Sequence, residues 1–413
     1  MERRADIPLF TPILIAGSLI LLVSFAIRSA FGVFQIPIAD EFGWLRSEFS
    51  LAIAIQNLAW GIGQPIFAAI AERFGTRLAL VLGAVTYAVG LVLSSFAVTP
   101  EAHQLFEILV GFGVAGTGFG VILAVVGRAA APEHRSMALA ITTAVGSVGQ
   151  VVGPPVAEAL LSVMSWQSVF LIFAAAIMSI LLLLPAMRAP DAPDASGGPG
   201  MGQALSRALR DPSYALIFIG FFSCGYQLGF ITAHFPAFVT EACSAIPPGS
   251  LLANMGIATT SALGAAAIGV IGLFNIMGTL FAGWLGQRYS KKMILAAIYA
   301  LRTMVAAAFI MTPMTPATVL LFAASMGALW LATVPVTSAL VGQIYGMRFM
   351  GTLYGIVFFS HQVGSFLGVW LGGALYDTTG SYTLVWWIGV GVGAFSAIVH
   401  LPVREQPMEA RAA

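Results

Sequence analysis

Residues 9–38, LFTPILIAGSLILLVSFAIRSAFGVFQIPI, form an apolar run that is long enough to cross a lipid bilayer. About 20 apolar residues in a helix span the hydrocarbon core. One cation, Arg28, lies well inside the run. A charge at that depth is costly unless it faces a polar cavity or a partner. The stretch therefore predicts a membrane helix and marks Arg28 as a candidate functional residue.

The composition of the whole chain indicates a protein with many membrane spans. Of its 413 residues, 59% are hydrophobic and only 8% are charged, whereas a soluble domain is about 25% charged. The net charge of +1 excludes a nucleic-acid binder, because neutralising a phosphate backbone needs a basic surface. The two cysteines, Cys224 and Cys243, provide neither a disulfide framework nor a metal-binding spacing. The sequence also lacks the zinc, nucleophile and phosphate-loop motifs of enzymes, so we expect no catalytic residues, no metal and no cofactor.

Twelve apolar runs predict twelve membrane helices, numbered 1 to 12 in chain order. They lie near residues 9–38, 49–71, 78–98, 104–127, 137–161, 168–187, 214–240, 262–286, 293–312, 316–345, 351–376 and 383–402. Fifteen of the 18 Lys and Arg residues fall in segments on one side, and only Arg46 falls on the other. Cytoplasmic segments are rich in Lys and Arg. The pattern therefore predicts that both termini are cytoplasmic, with Arg28 and Arg302 inside spans.

A polar segment divides the chain at its centre. RAPDAPDASGGPGMGQALSRALRD (188–211) begins with Pro, Gly, Ala and Asp, which cannot bury a core and favour a flexible linker. Its end, QALSRALRD, predicts a short amphipathic helix at the membrane surface. We therefore expect a six-helix half at 1–187, a cytoplasmic linker at 188–213 and a second six-helix half at 214–413.

Internal repeats relate the two halves. AAIAERFGTR (68–77) matches GWLGQRYSKK (283–292) at an offset of 215 residues. Two pairs of glycines stand at the same offset, Gly149 with Gly364 and Gly153 with Gly368. Several unrelated landmarks at one offset indicate parallel repeats, for which the substrate site lies near the membrane midplane between the halves. The predicted fold is an all-α membrane protein with two pseudo-symmetric six-helix halves.

The segment 68–77 resembles the loop signature of the major facilitator superfamily, Gly-x-x-x-Asp-Arg-x-Gly-Arg-Arg, with Ala68 for the first Gly and Glu72 for the Asp. The resemblance implies a charged clasp in which Glu72 pairs with a basic residue at a neighbouring helix end and closes the inward gate. The gating set is Glu72, Arg73, Gly75, Arg77 and Arg288. Helix 5 carries GSVGQVVGPP (146–155), which is similar to the superfamily's Gly-rich, Gly-Pro motif. It implies close helix packing by Gly146, Gly149, Gly153 and Pro154.

Residues 28–55 resemble the first hairpin of the monocarboxylate transporter family and the bacterial oxalate/formate antiporter relatives. Arg28-Ser29 and Val33-Phe34 match the family's basic residue, Ser and Val-Phe pair. The resemblance implies that Arg28 contacts an anion. Helix 8 departs from the pattern, because it lacks the family's Asp and Arg, and Asn275 stands where the Arg would be. Helix 4 has Glu107 where proton-driven drug antiporters have an Arg, which disfavours drug efflux.

Other polar residues inside predicted spans are candidates for the cavity. His361 and Gln362 lie in helix 11, and a histidine can also carry a coupling proton. In helix 2, Gln56, Asn57 and Gln64 are spaced to lie near one face. Aligning Pro37 with Pro236 places Gln227, beside Tyr226, in the repeat position of Arg28. For each, hydrogen bonding between neighbouring helices is the structural alternative. Glu107 could pair with Arg28 or carry a proton, whereas the role of Arg302 stays open.

The sequence as a whole predicts a secondary transporter of a small organic anion, a monocarboxylate by preference, driven by a proton or by anion exchange. We expect Arg28 to pair with the substrate charge, and His361, Gln362, Asn275, Tyr226, Gln227, Gln56 and Asn57 to bind the rest. His361 and Glu107 are the proton-coupling candidates. A monomer in a cell inner membrane is expected. The alternatives are an exporter of a neutral or amphipathic compound, and a transport-inactive sensor with the same fold.

Overall fold

The structure is a computed structural model that describes residues 8–44, 46–188 and 200–408. All regular secondary structure in these residues is helical. Twelve helices are long and apolar enough to cross a membrane, which confirms the predicted number. In chain order, helices 1 to 12 are Pro12–Phe34, Leu51–Phe74, Thr76–Ser94, Pro100–Ala129, Pro132–Leu161, Trp166–Ala186, Pro212–Pro236, Ala262–Arg288, Lys291–Met311, Pro316–Tyr345, Met350–Tyr376 and Thr383–His400.

Four of these helices continue as regular helix beyond their membrane-length part. Helices 2, 7, 8 and 11 run over Arg46–Phe74, Pro212–Ala242, Thr260–Arg288 and Met350–Thr379. Short helices at Gln35–Phe42 and Leu251–Asn254 lie outside the spans. The linker contains the helix Met201–Arg210, which ends in Arg207 and Arg210. Residues 189–199, the first part of the predicted linker, lie outside the described residues.

Threonine–proline pairs mark the starts of three helices. Thr11, Thr99 and Thr315 each accept a hydrogen bond from a backbone N–H of the first turn, and a proline follows each of them. The threonine oxygen satisfies a donor that has no partner inside the helix. The proline has no N–H to satisfy, and its φ angle already suits a helix. The starts of these helices are therefore encoded locally.

Glycine contacts show that the two halves are built alike. A Cβ atom on Gly149 or Gly153 of helix 5 would lie 2.2 Å or 2.0 Å from a carbonyl oxygen of helix 1. Gly364 and Gly368 of helix 11, at the offset of 215, approach carbonyl oxygens of helix 7 in the same way, at 2.2 Å and 2.3 Å. Small residues allow backbones to come this close. Helices 1 and 5 therefore form a tight pair in the first half, as helices 7 and 11 do in the second.

The remaining members of the predicted packing set lie on the same helix. A Cβ atom on Gly146 would lie 3.2 Å from the ring of Phe25 in helix 1. Pro154 lies inside the helix Arg135–Leu161. Neighbouring helices and local adjustments re-satisfy the backbone around a proline in a membrane helix.

We expect Gly153→Ala to lower the melting temperature of the purified protein, because its methyl group would overlap the Ala26 carbonyl oxygen. Overpacking of this kind costs about 1–3 kcal/mol. The matched control is Gly391→Ala in helix 12, where nothing lies within 4 Å of an added Cβ and alanine favours the helix. Equal melting temperatures for the two variants would show that helices 1 and 5 do not need this close approach.

Helices 4 and 10 are interrupted at positions related by the repeat. Helix 4 consists of Pro100–Thr117 and Phe119–Ala129, which meet at Gly118. Helix 10 consists of Pro316–Leu329 and Thr333–Tyr345. Irregular backbone inside a membrane protein is tolerated where protein groups or a cavity satisfy it. The breaks therefore introduce backbone polar groups into the interior of each half.

Two helix pairs make the most extensive contacts between the halves. Helix 2 packs against helix 11, where a Cβ on Gly61 would lie 2.7 Å from the side chain of Gln362. Helix 5 packs against helix 8, where a Cβ on Gly272 would lie 2.3 Å from Val151. These two seams are where rigid halves can move against each other in folds with parallel repeats.

Candidate functional site

Arg28 is a cation without a carboxylate partner inside helix 1. Its Nη2 donates to the Asn57 side-chain oxygen of helix 2 at 2.5 Å, and its Nε is buried without a hydrogen-bond partner. The guanidinium carbon lies 4.7 Å from the centre of the Trp60 ring, a cation–π contact. Among the described side chains, no carboxylate lies within 4.0 Å of Arg28. The positive charge is therefore positioned by neutral groups and left available to an anion.

Trp60 is held in place by its own helix. Its ring N–H donates to the Gln64 side-chain oxygen, one turn further on, at 2.8 Å. Its ring also lies 4.8 Å from Phe358 of helix 11, between ring centres. Trp60 thus touches the cation of the first half on one side and an aromatic residue of the second half on the other. The sequence analysis missed Trp60, although its position three residues after Asn57 places both on one face of helix 2.

Helix 11 supplies the side of the site that belongs to the second half. The His361 ring stacks on Phe358, with ring centres 5.0 Å apart, and Gln362 packs on Gly61 of helix 2. The amide nitrogen of Gln362 is buried without a partner, whereas the His361 ring lies beside the Cys224 thiol of helix 7 and interacts with it. Buried polar atoms in folded proteins nearly always have partners. The unpartnered amide beside the Trp60–Phe358 contact therefore makes Gln362 the stronger candidate of the two for a ligand contact.

Gln56 and Asn57 do not lie on one face, as the sequence analysis expected of the polar residues in helix 2. Consecutive helical residues are rotated by about 100°, so Asn57 faces Arg28 whereas Gln56 faces Glu107 of helix 4, donating to its carboxylate at 2.6 Å. Ser94 of helix 3 also donates to this carboxylate, at 3.1 Å. One turn before Glu107, the His103 Nε2 atom is 3.9 Å away. Glu107 therefore does not pair with Arg28, and helix 2 connects the two.

Three predicted binding residues of the second half are committed to contacts within that half. Tyr226 donates to the Val385 carbonyl at 3.4 Å and Gln227 to the Gly389 carbonyl at 2.9 Å, both in helix 12. The Asn275 side-chain oxygen accepts from the Leu331 N–H at 2.9 Å and from Thr279 at 3.1 Å. Leu331 lies in the break of helix 10, so Asn275 satisfies backbone that the break exposes.

The repeat position of Arg28 differs from the predicted one by a single residue. Gly153 approaches the Ala26 carbonyl, and Gly368 approaches the Tyr226 carbonyl. Ala26 therefore corresponds to Tyr226, and Arg28 to the buried Leu228 rather than to Gln227. One residue along a helix is a rotation of about 100°, which explains why Gln227 faces helix 12. The candidate binding groups of the second half that remain lie on helix 11.

A sequence model described as Major Facilitator Superfamily matches residues 17–271 and 242–413, most of the chain. The chain belongs to the Major Facilitator Superfamily. The uncharacterised MFS-type transporter YcxA of Bacillus subtilis (strain 168) is 26% identical over 398 residues, 91% of this chain and 90% of YcxA. Monocarboxylate transporter 13 of Rattus norvegicus is 26% identical over 378 residues, 87% of this chain and 80% of that protein.

Solved structures of the superfamily share the fold. FucP in the outward conformation aligns with a TM-score of 0.71 at 15% identity, over 95% of this chain and 98% of FucP. The proton:xylose symporter XylE bound to 6-bromo-6-deoxy-D-glucose aligns with a TM-score of 0.70 at 16% identity, over 96% of this chain and 97% of XylE. At this identity the likeness shows the architecture of a transporter in the Major Facilitator Superfamily.

Glu72, in the segment that resembles the superfamily's loop signature, contacts the start of helix 11. Its carboxylate accepts from the backbone N–H groups of Gly351 at 2.6 Å and Thr352 at 3.2 Å, and from the Thr352 hydroxyl. A helix N-terminus binds anions through its free N–H groups and its dipole. A helix end in the opposite half therefore supplies the hydrogen bonds to Glu72, and Arg128, a basic residue at the end of helix 4, also interacts with it electrostatically. The contact joins the halves at the end of the bundle that carries both termini.

The rest of the predicted gating set does not cross between the halves. Arg77 donates to the carbonyls of Leu184 and Pro185 at the end of helix 6. Arg73 and Arg288 are exposed, and their guanidinium carbons lie 5.2 Å and 4.3 Å from the ring centres of Phe74 and Trp284, respectively. Gly75 has a φ of +100° at the turn into helix 3, a conformation that suits glycine. These residues therefore make contacts near the loop, whereas Glu72 makes the contact between the two halves.

We expect Glu72→Gln to weaken the closed state at this end, because an amide lacks the charge that helix 11 binds. Loss of a helix-capping interaction costs about 0.5–2 kcal/mol, equivalent to about 2- to 30-fold faster hydrogen exchange. Exchange measured at the amides of Gly351 and Thr352 tests this. Glu133→Gln, which replaces an exposed acid at the same end, is the control. Unchanged exchange in Glu72→Gln would show that the halves are held by other contacts.

Proposed function

We propose that the protein is a secondary transporter of a small organic anion, with monocarboxylates as the preferred class. The observation that carries this proposal is Arg28, a cation inside a membrane helix that is oriented by Asn57 and Trp60 and has no carboxylate partner among the described side chains. Intramembrane charges of this kind mark substrate pathways. The names of the monocarboxylate transporters among its relatives support the same class.

The arrangement suits an anion with a small apolar body. Arg28 would neutralise a carboxylate by hydrogen bonds to its charged oxygens, which are stronger than bonds between neutral groups. The Trp60 and Phe358 rings offer an apolar surface beside the charge. From the second half, Gln362 brings an amide nitrogen without a partner, and the neighbouring His361 brings an imidazole that also contacts Cys224. A ligand that bonds to both halves at once would favour the conformations in which they are close together.

Alternating access follows from the same contacts. The halves 1–187 and 214–413 would rock about the substrate, and the bond from Glu72 to helix 11 would close the end that carries both termini. We propose that this end is cytoplasmic, because Lys and Arg are concentrated in segments at that end. We also propose that the protein works as a monomer in the inner membrane, since one chain contains both halves of the fold.

Glu107 and His361 are the proposed sites for a coupling proton. The carboxyl group of Glu107 is buried among Gln56, Ser94 and His103. Gln56 is next in sequence to Asn57, the partner of Arg28. A change of charge at Glu107 can therefore alter the position of Asn57 through these two adjacent residues of helix 2. Anion exchange, which needs no proton, is the competing mode.

Thermal stabilisation of the purified protein in detergent tests the substrate class. A ligand that binds only the folded state raises the melting temperature by mass action. The panel pairs small carboxylates with neutral amides or alcohols of the same size, and it includes pentoses and hexoses. We expect stabilisation by carboxylates alone, followed by uptake of the same compounds into proteoliposomes. Stabilisation by neutral compounds alone would instead support the neutral-compound exporter, and binding without uptake would support a sensor.

A further inference from the structure

Arg302 is buried in the second half without a carboxylate. It lies in helix 9 and is 0% exposed. Its Nη1 donates to the sulfur of Cys224 in helix 7 at 3.3 Å, whereas its Nε and Nη2 are buried without a partner. Among the described side chains, no carboxylate lies within 4.0 Å of it. A buried charge is tolerated when it is paired. The guanidinium carbon lies 6.0 Å from the centre of the Tyr299 ring, but Cys224 is the side chain that accepts its hydrogen bond, and a thiol ionises more readily than a phenol.

The first half has a serine and a tyrosine at the matching positions, and the tyrosine interacts electrostatically with Arg28. Tyr87 of helix 3 donates to the Ser24 carbonyl at 3.2 Å, and the Ser24 hydroxyl lies 2.7 Å from the Thr117 hydroxyl. Arg302 stands at the repeat offset of 215 from Tyr87. Cys224 corresponds to Ser24 through the same register of helices 1 and 7 that relates Ala26 to Tyr226.

The hydroxyl partner is repeated as well. The Cys224 sulfur lies 3.3 Å from the Thr333 hydroxyl at the break of helix 10, as Ser24 lies against Thr117 at the break of helix 4. The second half has therefore replaced a serine and a tyrosine by a cysteine and an arginine in an otherwise repeated arrangement. A replacement that adds an ionisable group and a cation together indicates a charged pair.

We propose that Cys224 is a thiolate in the folded protein and that, with Arg302, it forms a buried proton-binding site in the second half. Uptake of one proton forms the S–H bond and breaks no bond within the protein. It changes the charge of the pair from zero to +1 and leaves Arg302 uncompensated. The pair is then a place where a proton alters the stability of the packing between helices 7 and 9.

The other ionisable groups around Cys224 are neutral or basic. His361 and Tyr354 face it from helix 11 and Tyr299 from helix 9, each close enough to interact with it electrostatically. His361 is also part of the candidate substrate site. A proton bound at Cys224 would therefore change the electrostatic potential at the candidate substrate site through His361.

The difference in ultraviolet absorbance near 240 nm, where thiolates absorb and thiols do not, tests the proposal without any substrate. We expect native protein at pH 7 to lose the absorbance of one thiolate in Cys224→Ser and none in Cys243→Ser. Burial raises the pKa of the Cys243 thiol, so Cys243 contributes no thiolate at this pH. Equal absorbance of wild type and a folded Cys224→Ser variant would overturn the proposal.

A double-mutant cycle gives an independent readout. We expect Cys224→Ser alone to lower the melting temperature, because serine cannot balance the charge of Arg302. Adding Arg302→Tyr copies the Ser24–Tyr87 arrangement and should recover part of the loss. If Cys224→Ser alone does not fold, the double variant becomes the reference for the difference spectrum. A Cys224→Ser variant as stable as wild type would show that Arg302 needs no anion there, whatever the transported substrate.

Discussion

Arg28→Gln is expected to abolish stabilisation of the protein by carboxylates and their uptake into proteoliposomes. The substitution removes the charge but keeps a polar side chain beside Asn57. Truncating one partner of a hydrogen-bonded charge pair costs about 2–5 kcal/mol, which is equivalent to a loss of about 30- to 4,000-fold in affinity. Titration of the melting temperature with carboxylate concentration measures this loss.

Two control variants separate the effect of the Arg28 charge on binding from its effect on the stability of the fold. Arg28→Lys keeps the charge but loses the planar group that lies over Trp60, so it should bind more weakly than wild type and more tightly than Arg28→Gln. Arg207→Gln removes an exposed arginine of the linker helix and should bind normally. A variant Arg28→Gln that is less stable yet binds carboxylates with full affinity would make Arg28 a structural residue.

Glu107→Gln is expected to uncouple anion transport from the proton gradient. Glutamine has the size of glutamate, and its side-chain oxygen can still accept from Gln56, but it cannot bind and release a proton. A gradient of one pH unit is worth about 1.4 kcal/mol per proton, so one-proton symport gives about tenfold accumulation. We expect the variant to show no accumulation driven by the gradient while it still exchanges internal for external anion.

The comparison of gradient-driven uptake with exchange in the same proteoliposomes makes this test specific. Glu101→Gln, an exposed acid in the first turn of the same helix, is the matched control and should accumulate anion normally. Full accumulation by Glu107→Gln would indicate that His361, rather than Glu107, carries the coupling proton. Accumulation independent of the proton gradient in wild type would establish exchange.

The sequence predicted the architecture because its signals are long and redundant. Twelve apolar runs and the repeat offset of 215 each depend on many residues, so small errors do not change the result. The candidate site, in contrast, depends on which face of its helix each side chain occupies, and a shift of one residue changes that face. The prediction for Gln227 was wrong by one residue, or a rotation of about 100°. Asn275 binds the backbone at the break of helix 10, and hydropathy does not reveal that break. Trp60 could have been found, since it shares a face with Asn57.

At the terminal end, the two seams between the halves differ in the hydrogen bonds that the structure describes across them. Glu72 holds the seam of helices 2 and 11, whereas its repeat counterpart, Gln287, is neutral and exposed. Beside Gln287, Ser136 of helix 5 donates to the Gly286 carbonyl of helix 8 at 3.2 Å. We propose that this single carboxylate contributes most to the resting balance between the two access states. Mutation at this one codon would then change that balance without altering the candidate substrate site.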